Sequence, residues 1–186
     1  MNIFTNQRKS TINPMEKYNN RFLYSTNTKD KITIFGKKYE LLICFQSISN
    51  PTLNLKTDYI EICFPKIYKN YNINSLVALM IKEMFKKIAE NELDLFMDKA
   101  RHVFGFAPDN YTIVDLNRPL ATVIDKSEII FSSNIVKYDK KTIEYIVFHE
   151  FCHLKYKNHT KKFYELLEKY FPNYNYYSQK LGNASY

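Results

Sequence analysis

Residues His149-Glu150-Phe151-Cys152-His153 put two imidazoles and a carboxylate within one helical turn of each other. At about 100° per residue, His149, Glu150 and His153 share one arc of the helix, while Ile143, Val147, Phe148, Phe151, Cys152 and Leu154 cover the rest. A helix that is apolar nearly all round is a buried helix. An acid and two imidazoles inside it are costly unless something offsets their desolvation, and a divalent metal held by both histidines does so. Histidines four residues apart can reach one ion. Glu150, next to the first of them, is placed to take a proton from a water activated there. The competing reading is a pair of hydrogen-bonded core histidines beside a solvated Glu. A further histidine, His159, only six residues beyond His153 favours the metal.

The helix needs a core around it. At 186 residues with 45% hydrophobic content, the chain fits one domain, or one domain plus a tail. The net charge of +8 suggests an anionic partner, but the cations are 23 Lys against 4 Arg in a chain also rich in Asn, Ile and Tyr. That balance reads as compositional bias more than as a nucleic-acid-binding face. Cys44, Cys63 and Cys152 have no metal-ligand spacing, and Cys152 lies in the buried helix, so all three read as reduced core thiols of a cytoplasmic protein. The N-terminal residues lack an apolar signal core, and no run is long enough to span a bilayer, so no membrane association is expected.

Residues 1–30 are polar and Asn/Thr/Lys-rich and read as a flexible arm, with the folded domain over 31–186. Within that domain, Ile32 to Phe35 and Tyr39 to Gln46, joined by Gly36-Lys37-Lys38, form one expected hairpin; Thr52 to Leu55 and Tyr59 to Phe64 form another. From Asn74 to Phe104 the apolar spacing is helical, capped by Asn74 or Ser75, with a second helix possible after Asn91 and Gly105 as the stop. His102, near that end, reads as a surface histidine. Short strands are expected at Tyr111 to Leu116 and Glu128 to Ser132. Asp139 is a good N-cap for the buried helix. Thr160 caps a further amphipathic helix stopped by Pro172, and Tyr174 to Leu181 form a last short helix ended by Gly182.

The segment Ile143 to Leu154, with His149-Glu150-Phe151-Cys152-His153 at its centre, is followed by Asn158-His159-Thr160-Lys161-Lys162-Phe163-Tyr164 and by Pro172. Together these motifs resemble the YgjP-like metal-dependent hydrolases, a zincin-type family, over about residues 31 to 182. Thr160 stands where the family has Ser and Tyr164 where it has Trp. The family's Arg-Trp-Gly-Ser-Cys loop is here Arg118-Pro119-Leu120-Ala121-Thr122, with only the Arg kept.

The resemblance implies an α+β, zincin-like metallopeptidase domain, with an N-terminal β-rich region and C-terminal metal-site helices. It also implies His149, His153 and His159 as ligands of a catalytic Zn2+, with Glu150 as general base. Glu165 or Glu168 is the alternative third ligand. Arg118 and Tyr174, Tyr176 and Tyr177 are candidates to stabilise an oxyanion. The implied reaction is zinc-dependent hydrolysis, first of peptide bonds in a peptide or protein. Hydrolysis of a nucleotide phosphoanhydride near Arg118 is a second reading, and a non-catalytic, metal-stabilised module binding nucleic acid or protein is a third. In zincins an extended peptide pairs with a sheet edge beside the metal helix, and Glu128 to Ser132 is the expected edge strand.

Overall fold

The computed structural model describes residues 23–24 and 31–182, and the polypeptide divides into two compact units. The expected arm over 1–30 lies outside the described residues, apart from Leu23–Tyr24.

The first unit is antiparallel sheet. Strand β3 (Lys37–Gln46) pairs through Cys44 and Ile43 with the two-residue strand β1 (Leu23–Tyr24). On its other side lies β5 (Tyr59–Pro65), followed by the edge strand β4 (Thr52–Leu55), whose Thr52 to Leu55 face Cys63 to Ile60 in register. Ile43, Ile60, Ile62 and Phe64 are buried, as β-branched and aromatic side chains on a pleated surface should be. The strand register corrects the reading of the cysteines. Cys44 and Cys63 are disulfide-bonded, with Cα atoms 4.6 Å apart, and Cys152 alone is a free thiol. The argument from three reduced thiols to a cytoplasmic location therefore loses its ground. Strand neighbours 19 residues apart in sequence have no spacing signature; the sheet brings them together.

The second unit takes described residues 31–40, which include the start of β3, and 72–182. Strand β2 (Ile32–Ile34) forms a hairpin with the start of β3, with Ile34 opposite Lys37. The turn is the two residues Phe35 and Gly36, both at positive φ (50° and 79°), so it is tighter than the Gly36-Lys37-Lys38 turn expected. Both turn amides are used: Phe35 donates to the Val136 carbonyl at 2.7 Å and Gly36 to that of Lys137 at 3.2 Å. These bonds tie the hairpin tip to the short 3-10 turn Ser133–Lys137.

Helix α1 (Asn74–Phe104) is continuous, with no break at Asn91. Phe85, Ala89, Leu93 and Met97 recur every four residues and keep one buried stripe through the polar Asn91-Glu92 pair. The N-cap is Ile73, which makes no side-chain capping bond, and the Asn72 side chain accepts from the Asn74 amide at 3.1 Å. Gly105, at φ 74°, closes the other end in the left-handed conformation.

A three-stranded sheet follows, ordered β6-β8-β7. Strand β6 (Asn110–Val114) runs parallel to β8 (Glu128–Ser132), while β7 (Ala121–Ile124) pairs antiparallel with β8 on its other side. β7 was not expected, and it displaces β8 from the edge: Glu128–Ser132 is the central strand.

Helix α2 (Lys140–Lys155) packs against α1 and β7, and every residue from Thr142 to Cys152 is buried, as its apolar texture predicts. Helix α3 (Lys161–Tyr170) buries Phe163 and Leu167, and α4 (Tyr174–Leu181) ends at Gly182. Thr160 is the residue ahead of α3, but its side chain makes no capping bond. No helix among the described residues is long and apolar enough to cross a membrane.

Asp139 caps α2 as expected: its carboxylate accepts from the Thr142 amide at 3.1 Å and the Thr142 hydroxyl at 2.7 Å, and pairs with Lys180 on α4 at 2.5 Å. Burial alone would raise its pKa. The bonds from Lys180 and Thr142 outweigh burial and bring it from 3.8 down to about 2. A carboxyl depressed on folding contributes stability above its unfolded pKa and loses it as pH falls through the folded one. Asp139→Ala should thus cost about 1 kcal/mol in urea unfolding at neutral pH. The gap between variant and parent should close as pH falls from 3.8 to about 2.

Candidate metal centre

α2 delivers His149 and His153 from one face, and the short link to α3 turns back to deliver His159, helped by a Thr160 amide bond to the Asn158 carbonyl at 2.7 Å. The three Nε2 atoms converge. That of His149 lies 3.0 Å from His153 Nε2 and 2.9 Å from His159 Nε2. Ligand atoms about 2.0–2.1 Å from one tetrahedral zinc ion sit about 3.3 Å apart, so the trio could hold a single metal ion with little adjustment.

The other ring nitrogens are also engaged. His153 donates from Nδ1 to the Tyr156 carbonyl at 3.1 Å, which leaves its Nε2 lone pair facing the trio. Tyr145, one turn before His149, brings its hydroxyl to 3.4 Å from His149 Nδ1. The fully buried ring of Phe163 lies 4.6–4.9 Å from all three imidazole centroids and floors the site. Tyr164 stacks on His159 at 6.0 Å.

The electrostatics suit a cation. Burial pushes the His149 pKa well below 6.5, with further lowering by His153 and His159. Burial also lowers His153, against an opposing bond to the Tyr156 carbonyl, and lowers His159. All three are thereby held as neutral imidazoles, the form that ligates metal. Glu150 is 1% exposed, its Oε1 has no hydrogen-bond partner among the described residues, and burial pushes its pKa up to about 8. A buried carboxyl oxygen left unpaired is costly, and such an atom beside three converging lone pairs fits a site built for an ion and its water. Cys152, also behind this wall, is pushed up to about 12 by burial and then by Glu150.

Glu150 and His153 open onto a cleft of about 580 Å3, whose opposite wall is β7, with Ala121, Thr122 and Val123. Lys126 and Lys157 also line it. The sequence did not single out Tyr145, Phe163 or β7 as parts of the site. Tyr145 alone had a local signal, since it lies one turn before a metal-type histidine.

The other candidates fall elsewhere. His102 is exposed on α1, with Nδ1 2.8 Å from the Asp98 carbonyl. Glu165 and Glu168 are exposed on α3 and are not in the cluster that could hold a metal. Arg118, Tyr174, Tyr176 and Tyr177 do not line the cleft. Tyr174 stacks on Tyr164, and Tyr177 stacks on Tyr145.

A histidine trio on a helix and the turn after it, buried at His149, half-buried at His153 and exposed at His159, lies beside a carboxylate and a short sheet and could hold one metal ion. The family model for the YgjP-like metallopeptidase domain matches residues 5–184, and the chain belongs to that family. Comparison with curated protein sequences finds no match. Among solved structures, the metallopeptidase zymogen of Pyrococcus abyssi abylysin is similar, with 21% identity and a TM-score of 0.44, over 48% of this chain and 91% of that one.

Titration of metal-free protein with a divalent ion should saturate at about one equivalent per chain. His149→Ala or His153→Ala should abolish that uptake and the accompanying rise in melting temperature. Unchanged stoichiometry in both variants, measured by elemental analysis, would contradict a shared site.

Proposed function

We propose that this protein is a zinc-dependent peptidase that cleaves an extended peptide lying along β7. The observation that carries the reading is the unpaired Glu150 carboxyl beside three converging Nε2 atoms, on the floor of a cleft walled by a sheet edge. His149, His153 and His159 would hold the ion. When bound, zinc supplies Lewis acidity toward a water and toward the scissile carbonyl. Glu150 takes a proton from the attacking water at a carboxyl oxygen and passes it to the leaving amine nitrogen. Tyr145 and the Tyr156 carbonyl hold the His149 and His153 rings in orientation.

The ladder geometry supports peptide pairing at β7. Ser132 donates to the Leu120 carbonyl at 2.8 Å, and the register places Thr122 opposite Ile130 and Ile124 opposite Glu128. Since antiparallel residues alternate, Leu120, Thr122 and Ile124 bond to β8, while the N–H and C=O groups of Ala121 and Val123 point to the open edge. A substrate strand can use them without disturbing the sheet. A nucleotide substrate was to rely on Arg118, which does not line the cleft. A purely structural site would give no role to the buried Glu150 carboxyl.

Glu150→Gln should keep metal and fold while turnover of a peptide substrate falls about 10²-fold or more. Turnover equal to the parent would remove Glu150 from the mechanism. Val123→Pro deletes an edge N–H but no bond to β8, so it should raise KM for peptides with little change in melting temperature. Thr122→Pro, which breaks the ladder, should destabilise the fold. If Val123→Pro folds, binds metal and cleaves peptides as the parent does, the substrate does not lie on β7.

A further inference from the structure

The face of α2 turned away from the histidines borders a second cavity, of about 400 Å3. Positions 141, 144 and 148 lie roughly opposite 149, 150 and 153 on a helix of 100° per residue. This open cavity is also lined by α1, the end of α3 and the start of α4, and it shares no lining residue with the catalytic cleft.

Its polar centre is Glu144, whose side chain is 4% exposed. One carboxyl oxygen accepts from Lys99, and the other from Lys141 at 2.7 Å. Burial would raise the Glu144 pKa, but the two lysines outweigh it and hold it lowered, so the group stays charged. Both lysines remain half-exposed or more, at 52% and 65%, and each ammonium keeps donors beyond the one Glu144 occupies. The buried acid thus holds two normally floppy cations at the cavity wall. Part of their ordering cost is met before anything binds. Lys169, the third cation of the lining, has no ion-pair partner among the described residues; its Nζ lies 4.8 Å over the Tyr170 ring. Three ammonium groups against one carboxylate leave two positive charges unmatched. The rest of the wall is largely apolar and aromatic, with Phe148, Tyr170, Phe171 and Pro172, and Asn173 and Tyr177 add polar atoms. A cavity of this size suits a small molecule.

We propose that this cavity is a second binding site, which takes a small organic dianion carrying an aromatic ring, of the aryl phosphate type. The lysines meet the anionic group and the aromatic wall takes the ring. Tyr177 lines the cavity and stacks on Tyr145 at 5.9 Å, so the occupant lies two rings away from His149. The site does not depend on the peptidase reading, because none of its residues belongs to the catalytic cleft.

The test is calorimetric titration of the metal-loaded protein with phenyl phosphate, inorganic phosphate and phenol. Phenyl phosphate should bind more tightly than either fragment. Lys169→Ala should weaken it by about tenfold or more, Lys169→Arg should restore it, and Lys126→Ala in the other cleft should leave it unchanged. Lys169 makes no bond to Glu144, so its removal leaves the buried clamp and the fold in place. Absence of binding would overturn the proposal, as would binding that Lys126→Ala weakens and Lys169→Ala does not. Inorganic phosphate binding as tightly as phenyl phosphate would overturn the assignment of the aromatic wall.

Discussion

Two imidazole nitrogens, those of His153 and His159, each within about 3 Å of His149 Nε2, in surroundings that disfavour charge on all three rings, form an arrangement that a shared cation makes favourable. Much of the second unit follows from holding that geometry. α2 must be buried on every side to fix two of the rings, so α1, β7, α3 and α4 each cover part of it. The link to α3 must reverse within a few residues to bring in the third. Phe163 then fills the volume beneath all three rings, and Tyr145 and the Tyr156 carbonyl fix their orientation. Asp139 sets where α2 begins, which in turn sets which face carries the histidines.

The parts of this arrangement that could be read from sequence are those governed by neighbours along the chain. The burial of α2 was visible because its apolar residues leave one narrow polar arc, and the cap at Asp139 because a side chain three residues back suffices to make it. What sequence could not supply is strand register. Ala121–Ile124 is a four-residue strand between a cis Arg118-Pro119 bond and the positive-φ pair Asp125-Lys126, too short to show alternation. Without it, Glu128–Ser132 looked like an edge, although it is paired on both sides. The cysteines failed for the same reason, since only the alignment of β3 with β5 brings Cys44 to Cys63. Helix α1 failed differently: Asn91 and Glu92 looked like a break, yet the buried stripe continues beneath them through Leu93.

α2 also separates two kinds of electrostatics across its own width. On one face lies a carboxyl with an unpartnered oxygen and a pKa pushed upward; on the other, six residues earlier, lies a carboxylate held charged by two lysines. Both expose little surface to solvent. The difference is made by how deeply each carboxyl is desolvated and by which cations the packing brings near, which is why the composition of the helix says little about the state of either acid.

The burial of α2 from Thr142 to Cys152 has a consequence for how this chain can diverge. His149 is at once a group able to ligate metal and part of the interior, so a descendant without catalysis would still have to fill its place in the fold. Glu150 carries no such obligation, because its carboxyl oxygen is a cost to the fold rather than a support. Drift away from enzymatic activity should therefore erase the acid first and leave His149 standing.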